Sequence, residues 1–379
     1  MGKNDLRSQS LDLLRFPLAV VVLTIHTFST NGLMVRGEKF IFDDFQFFIE
    51  VNHWIDAFLR GQSVPIYYFI SGYVFFLGVE MTYSTYIRKF KNRIKTLVVP
   101  YFVWNIIYLL GFFFITLNPL LSHFTAKEGV DFNFSIKSFM SCFWVYDEGL
   151  FIARIPEHNS TLSSNSFPIN IPLWFIRDLI IVVVSTPVLH WLIKRLKHYF
   201  IIALGVVWFF IPYFEIKTLG FEMAYFFFSW GAYMSINKKD MIEFFCKYTK
   251  LSAILFVSLS LLHIWTAHYC PEAKDTIKQV NVLVGLFFAY SFATLLLKRG
   301  ICKVSTFLAS ASFFIYVSHY IIIKRMTKLI FIAFSPDSNL GISFTYIFSV
   351  VLSVCFLLVV FWLLKHYTPG LLKVLAGRK

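Results

Sequence analysis

Charge is scarce in this chain: only 15% of its 379 residues are Asp, Glu, Lys or Arg, against about 25% in ordinary soluble domains. Acidic residues are the scarcer part, 21 against 35 Lys and Arg, which leaves a formal net charge of +14. Five cysteines exclude a disulfide framework, and no CxxC or HExxH spacing offers a zinc site, so no metal is expected. A Walker A loop and a GxSxG elbow are also missing, which leaves ATP hydrolysis and the usual serine-hydrolase chemistry without their parts. No connection is long enough for a soluble domain, and no internal repeat is evident, which weakens a transporter built from inverted halves. The first apolar stretch lacks a small-residue cleavage site after it, so no removable leader is expected.

Apolar residues are what the chain has, 58% of the total with 47 Phe. A run of about 17–25 such residues can cross the ~30 Å hydrocarbon core of a bilayer. Ten runs fit, at about 11–30, 63–80, 97–118, 172–193, 199–215, 218–236, 251–269, 280–297, 305–323 and 343–364. The expected fold is therefore all-α: a polytopic integral membrane protein of about ten transmembrane helices, one domain over residues 1–379, with the lipid bilayer as its surroundings.

Lys and Arg collect in short cytoplasmic loops. Here they gather at Lys3 and Arg7, at 88–95, at 194–197, at 238–250, at 298–303 and at 365–379. Placing those segments inside puts both termini in the cytoplasm and leaves two long connections outside, about 31–62 and 119–171. Within the first, Phe40 to Leu59 reads as a semi-amphipathic stretch suited to the membrane surface. The second, rich in Ser, Asn, His and Pro over 155–172, would form an extracytoplasmic mouth. Lys324, Arg325 and Lys328 break the pattern: either the ninth helix runs long and snorkels them to the outer interface, or they line an outward cavity. The positive charge is first a topology signal, and its spread over several loops without a recognition motif argues against nucleic acid. Cys142 and Cys270 both map outside, where a bridge and a chance placement are both open.

Ionisable residues at membrane depth cost on the order of 2.5–3.5 kcal/mol each and point to function. The first span carries Asp12, Arg15 and His26. At 100° per residue, the step from Arg15 to His26 turns the helix through about 1100°, three turns plus about 20°, so the two share a face, with Asp12 about 60° and 40° away from them. A plainer reading makes Asp12 and Arg15 an i,i+3 pair at a helix end and His26 a packing residue. Deeper polar groups recur at Arg177, Asp178, Glu222, His263, His268 and His319. By the 1.5 Å rise per residue, His26 and His319 each lie about 21–22 Å along their helices, with Arg177 near the same level. Such a histidine suits proton abstraction from a sugar hydroxyl, with a nearby cation for the oxyanion. For His263 and His268 a hydrogen-bonded packing role is the stronger reading.

These residues resemble the first-helix signature of the membrane acyltransferase 3 family: Ser10-Leu11-Asp12-Leu13-Leu14-Arg15, then His26. Phe69-Ile70-Ser71-Gly72-Tyr73 is similar to the family's second-helix SG motif, and Arg93 through Pro100-Tyr101, with Trp104, resembles the opening of its third helix. Leu173-Trp174-Phe175-Ile176-Arg177-Asp178-Leu179 and Ser312-Phe313-Phe314-Ile315-Tyr316 with His319 are similar to its fourth and ninth. The pieces fall in register over the whole chain. Where the family carries an RxxR-type element, this chain has Arg88-Lys89-Phe90-Lys91-Asn92-Arg93-Ile94-Lys95.

The resemblance implies an O-acyltransferase of the bacterial inner membrane, without the SGNH-type domain of some relatives. It would move an acyl group, acetyl most often, from cytoplasmic acyl-CoA, a co-substrate rather than a bound cofactor, to a hydroxyl of an extracytoplasmic glycan or similar acceptor. His26 would be the base and Arg15 its partner in orienting substrate or CoA. Arg88, Lys89, Lys91, Arg93 and Lys95 would hold the CoA phosphates, although a positive-inside anchor explains the same bases. Asp12, Trp174, Arg177, Asp178, Tyr316 and His319 are candidates for substrate contact, oxyanion stabilisation or structural support. An acyl-histidine intermediate is the mechanistic alternative. The competing function is a transporter or flippase for a polyprenyl-linked glycan or other anion, with Arg15, Arg177 and His26 binding phosphate in an aqueous cavity.

Overall fold

In a computed structural model, all residues are described except 1, 29–32, 36–37, 41, 79, 119–130, 133–134, 147–151, 155–166, 215–219 and 378–379. Much of the expected 119–171 mouth therefore lies outside the described residues. The apolar runs form helices: α1 (Lys3–Thr27), α2 (Gln46–Phe58), α3 (Ser63–Phe76), α4 (Tyr83–Arg93), α5 (Val99–Leu117), α6 (Ile136–Ser141), α7 (Trp174–Val184) and α8 (Thr186–Leu196). They continue as α9 (His198–Phe210), α10 (Phe221–Ile236), α11 (Met241–Cys246), α12 (Thr249–Tyr269), α13 (Pro271–Lys298), α14 (Thr306–Phe334), α15 (Asn339–Tyr367) and α16 (Pro369–Ala376). Two antiparallel ribbons, Leu33–Val35 with Glu38–Phe40 and Asp131–Phe132 with Ile152–Arg154, are the only strands among the described residues.

Six helical stretches are long and apolar enough to cross a membrane: Asp5–Thr27, Tyr83–Ile115, Thr249–Tyr269, Pro271–Lys298, Thr306–Phe334 and Asn339–Tyr367. A seventh is the pair Ile171–Val184 and Thr186–Leu196, bent by 65°. The sequence suggested one span over 172–193. Pro187, in the first turn of α8, has no N–H to give the carbonyl one turn earlier, and the Thr186 hydroxyl instead donates to Val183 at 2.6 Å. The run expected at 97–118 starts earlier, because α4 and α5 join through the π-helical segment Ile94–Val98. The 29-residue α14 takes Lys324, Arg325 and Lys328 into the helix itself, so the ninth helix does run long. Apolar side chains such as Ile202, Ile254, Ile347 and Val359 stand exposed along the helices, as lipid-facing surfaces do. The chain is a multi-pass membrane protein.

Two compact units divide the chain. The first holds Met1–Ile25, His53–Arg93 and Asp178–Ser312; the second holds His26–Asn52, Ile94–Arg177 and Phe313–Lys379. In the first unit α3 and α10 cross through glycines. A Cβ on Gly72 would sit 2.0 Å from the Phe228 carbonyl oxygen, and one on Gly231 would sit 2.0 Å from that of Phe69. Only bare backbone permits this approach. Rings of Phe69, Trp230, Phe245 and Phe287 fill the space beside the crossing. In the second unit Phe28, Phe42 and Phe48 close around Tyr346 of α15. There Trp104 of α5 donates from Nε1 to the Leu375 carbonyl at 2.9 Å, holding α16 in place. Each of the five cysteines is a free thiol within its own unit.

Candidate active site

In the first unit, Arg15 Nη1 meets Asp12 Oδ1 at 2.9 Å, both side chains a little over one-third exposed. Tyr67 of α3 donates its hydroxyl to the Arg15 carbonyl at 2.7 Å. Arg93 lies within electrostatic range of Arg15 and 5.9 Å from the centre of the Phe75 ring. Lys89, one turn before Arg93, donates to the Phe75 carbonyl and sits 5.3 Å from the same ring, a cation–π arrangement. Arg88, Lys91 and Lys95 are exposed. The bases of 88–95 therefore do not share a face, because the segment is helical and only positions three or four apart align.

The second unit contains the imidazole cluster. The ring centroid of His26 lies 5.4 Å from that of His319 and 5.6 Å from that of Tyr320 on α14. His319 is fully buried. Its Nδ1 is 2.6 Å from the Tyr316 carbonyl, which can only accept, so Nδ1 carries a proton, and in the neutral ring Nε2 keeps its lone pair. That Nε2 is buried with no hydrogen-bond partner among the described residues. The Tyr316 hydroxyl donates to the Pro172 carbonyl and its ring packs on Phe175, tying α14 to the turn before α7. Trp174 packs against Phe167, and Arg177 donates to the Trp144 carbonyl at 2.7 Å with its guanidinium 5.3 Å from the Trp144 ring centre. Asp178, assigned to the first unit, is fully buried.

Tyr320 was missed in the sequence. Its ring meets His26, Tyr108 at 5.7 Å and the Lys324 ammonium at 4.6 Å. The available signal was Lys324 one turn after Tyr320, on the residue next to His319. Asp56 was missed too. In the first unit it accepts from His263 Nε2 at 3.1 Å and Lys278 at 3.3 Å, and it pairs with Arg60. Burial alone would raise its pKa, but the His263 hydrogen bond and the Lys278 and Arg60 charges outweigh burial and hold the carboxyl well below the ordinary carboxylate range. The other His263 nitrogen, Nδ1, faces the Lys274 carbonyl at 3.2 Å. Both nitrogens of His263 are thus engaged, as a packing role requires. His268 contacts His53 at 3.1 Å.

The family profile described as acyltransferase domain, acyltransferase 3, matches residues 8–366. The chain belongs to the acyltransferase 3 family. The match runs from the first turns of α1 almost to the end of α15 and spans both units. This acyltransferase is also 21% identical over 344 residues to the succinoglycan biosynthesis protein ExoH of Rhizobium meliloti (strain 1021), covering 86% of this chain and 82% of that protein. No solved structure matches it. Within this family member, the described geometry brings together Asp12 with Arg15, and His26 with His319 and Tyr320. It turns Lys89 and Arg93 onto Phe75 and engages Arg177 with Trp144.

Proposed function

We propose that this acyltransferase moves an acyl group, acetyl in the first instance, from cytoplasmic acyl-CoA to a hydroxyl of an extracytoplasmic glycan, in the inner membrane of a bacterium. The observation that carries the reading is the His26–His319 pair, with a buried imidazole nitrogen that has no hydrogen-bond partner among the described residues, inside an acyltransferase. A carbohydrate acceptor fits the succinoglycan role in the relative's name. The shorter apolar helices α3, α9 and α10, counted with the six long helices and the bent pair, support a reading of ten crossings. Both termini then face the cytoplasm with the basic loops.

In this mechanism the acceptor O–H gives its proton to His26, and the oxygen attacks the thioester carbonyl. The tetrahedral oxyanion collapses, the C–S bond breaks, and the departing thiolate takes the proton from the His26 imidazolium to leave CoA-SH. His319 Nε2 accepts a hydrogen bond from the protonated His26 and so stabilises the charge that forms there. Arg15 sits about 16 Å back along α1 and orients the donor toward the base. The test is transfer of radiolabel from [acetyl-14C]acetyl-CoA to a surface-glycan extract by the purified protein in detergent. Labelled, alkali-labile saccharide supports O-acyl transfer. Label that stays on the donor while the protein moves a polyprenyl-linked glycan across vesicles would sink the enzyme reading in favour of a flippase.

A further inference from the structure

The first unit encloses a cavity of about 970 Å³ that none of the residues in the proposed mechanism lines, at the upper end of the ~300–1,000 Å³ usual for ligand pockets. It opens where α1 begins and where α3, α8 and α10 end. Lys3, Arg7, Lys194, Lys238 and Lys239 bring positive charge to its wall, together with His190, against only Glu80 and Asp240. Asp240 is already committed: it caps α11 by accepting from the Ile242 and Glu243 amides at 2.9 and 3.2 Å, and it holds Lys3 at 3.2 Å. Lys194, Lys238 and Lys239 have no carboxylate partner among the described residues. Converging cations without counter-charges suit a ligand with several negative charges.

The wall also has a flat aromatic component. Phe76 and His190 stack with ring centroids 5.7 Å apart and planes 10° from parallel, and Tyr73 lies beneath the Arg7 guanidinium at 5.7 Å. Two buried hydroxyls nearby lack hydrogen-bond partners among the described residues: Ser235 Oγ in the wall itself, and that of Tyr290, which lies within electrostatic range of Arg7 and Tyr73. Stacked rings beside unpaired cations and idle hydroxyl groups are the complement of an aromatic base carrying phosphates. An anionic lipid headgroup would use the cations alone.

We infer that this cavity binds the nucleotide end of the acyl-CoA donor, the adenine ring against Phe76 and His190 and the phosphates among Lys194, Lys238, Lys239 and Arg7. The inference rests on the donor reading above and moves the phosphate site away from residues 88–95.

The experiment is calorimetric binding of coenzyme A, dephospho-coenzyme A, adenosine 3′,5′-bisphosphate and pantetheine to the full-length protein in phosphatidylcholine nanodiscs. Wild type is compared with the triple variant Lys194→Gln/Lys238→Gln/Lys239→Gln and with Arg88→Gln/Lys91→Gln/Lys95→Gln. All six positions are exposed, so both variants keep the core intact, and a thermal melt confirms it. The expected result is that coenzyme A and the bisphosphate bind at least about tenfold more weakly to the 194/238/239 variant, with the preference for coenzyme A over its dephospho form collapsing. Pantetheine binding should not move. Coenzyme A binding that is unchanged in that variant and lost in the 88/91/95 variant overturns the cavity and leaves the donor reading standing. Wild type that binds neither coenzyme A nor the bisphosphate overturns both. Bisphosphate binding through the three lysines, with no acyl transfer from any acyl-CoA, supports the cavity and contradicts the donor reading. Binding abolished by phosphatidylglycerol nanodiscs identifies a lipid headgroup site and overturns the inference.

Discussion

His263 and His319 are both buried histidines inside long apolar helices, and they are held in opposite ways. His263, in the first unit, has an oxygen acceptor at each ring nitrogen, the Asp56 carboxylate and the Lys274 carbonyl. His319, in the second, has one nitrogen pinned to a backbone carbonyl and the other, beside His26, without a hydrogen-bond partner among the described residues. A buried polar atom without a partner costs about 1–3 kcal/mol, and in the proposed mechanism the Nε2 of His319 gains its hydrogen bond only when His26 takes the acceptor's proton. The lesson is that burial does not separate structural from chemical histidines here. In the proposed mechanism the partner at the second nitrogen does.

That comparison can be pressed from its strongest consequence downward. His26→Ala should lower acyl transfer by at least ~10²-fold, as loss of a general base does, with the melting temperature nearly unchanged; steady-state CoA release and a thermal melt read both. His319→Gln keeps a polar side chain but loses the fixed imidazole lone pair, and kcat should fall by about tenfold or more with little change in KM. Asp56→Asn should do the reverse. It leaves Lys278 and Arg60 without their counter-charge at a carboxylate site that is 21% exposed, and should cost about 2–4 kcal/mol of stability, below the full penalty for a deeply buried pair, while folded protein keeps its turnover. Chemical unfolding in matched micelles measures the first part and CoA release the second.

The same carboxylate sets a pH dependence. Because the Asp56 pKa is lowered in the fold, its contribution is present above the unfolded value of about 4 and is lost as pH falls below it. Melts of wild type should weaken through that acid range, and those of Asp56→Asn should be flatter. The smallest expected effect on chemistry, with a clear one on stability, comes from Gly231→Ala. The added methyl would meet the Phe69 carbonyl, and overpacking of this kind costs about 1–3 kcal/mol. A Gly231→Ala protein as stable as wild type would contradict the close α3–α10 crossing.

Much of the fold was legible because lipid-spanning helices announce themselves by length and composition, and each of the ten apolar runs overlaps a helix or a helix pair. The ends were not legible. α14 continues past His319 through Lys324, Arg325 and Lys328, because a helix ends where its hydrogen bonds end rather than where hydropathy falls. The break at Ser185 depends on Pro187, which the apolar run conceals. In the site, the helical period placed Asp12 beside Arg15, and helix depth anticipated the meeting of His26 with His319. Apart from the local contacts with Lys324 and Arg60, the partners of Tyr320 and Asp56 come from elements distant in sequence, α5 for one and α12 with α13 for the other. Spacing within one helix carries no information about such encounters.

The most direct measurement is the rate of CoA release from acetyl-CoA in the presence of glycan acceptor, taken side by side for wild type, His26→Ala and His263→Ala at equal folded concentration. The account predicts a loss of at least ~10²-fold for His26→Ala and a rate within a few-fold of wild type for His263→Ala. Wild-type turnover by His26→Ala, or a larger loss in His263→Ala, would contradict it.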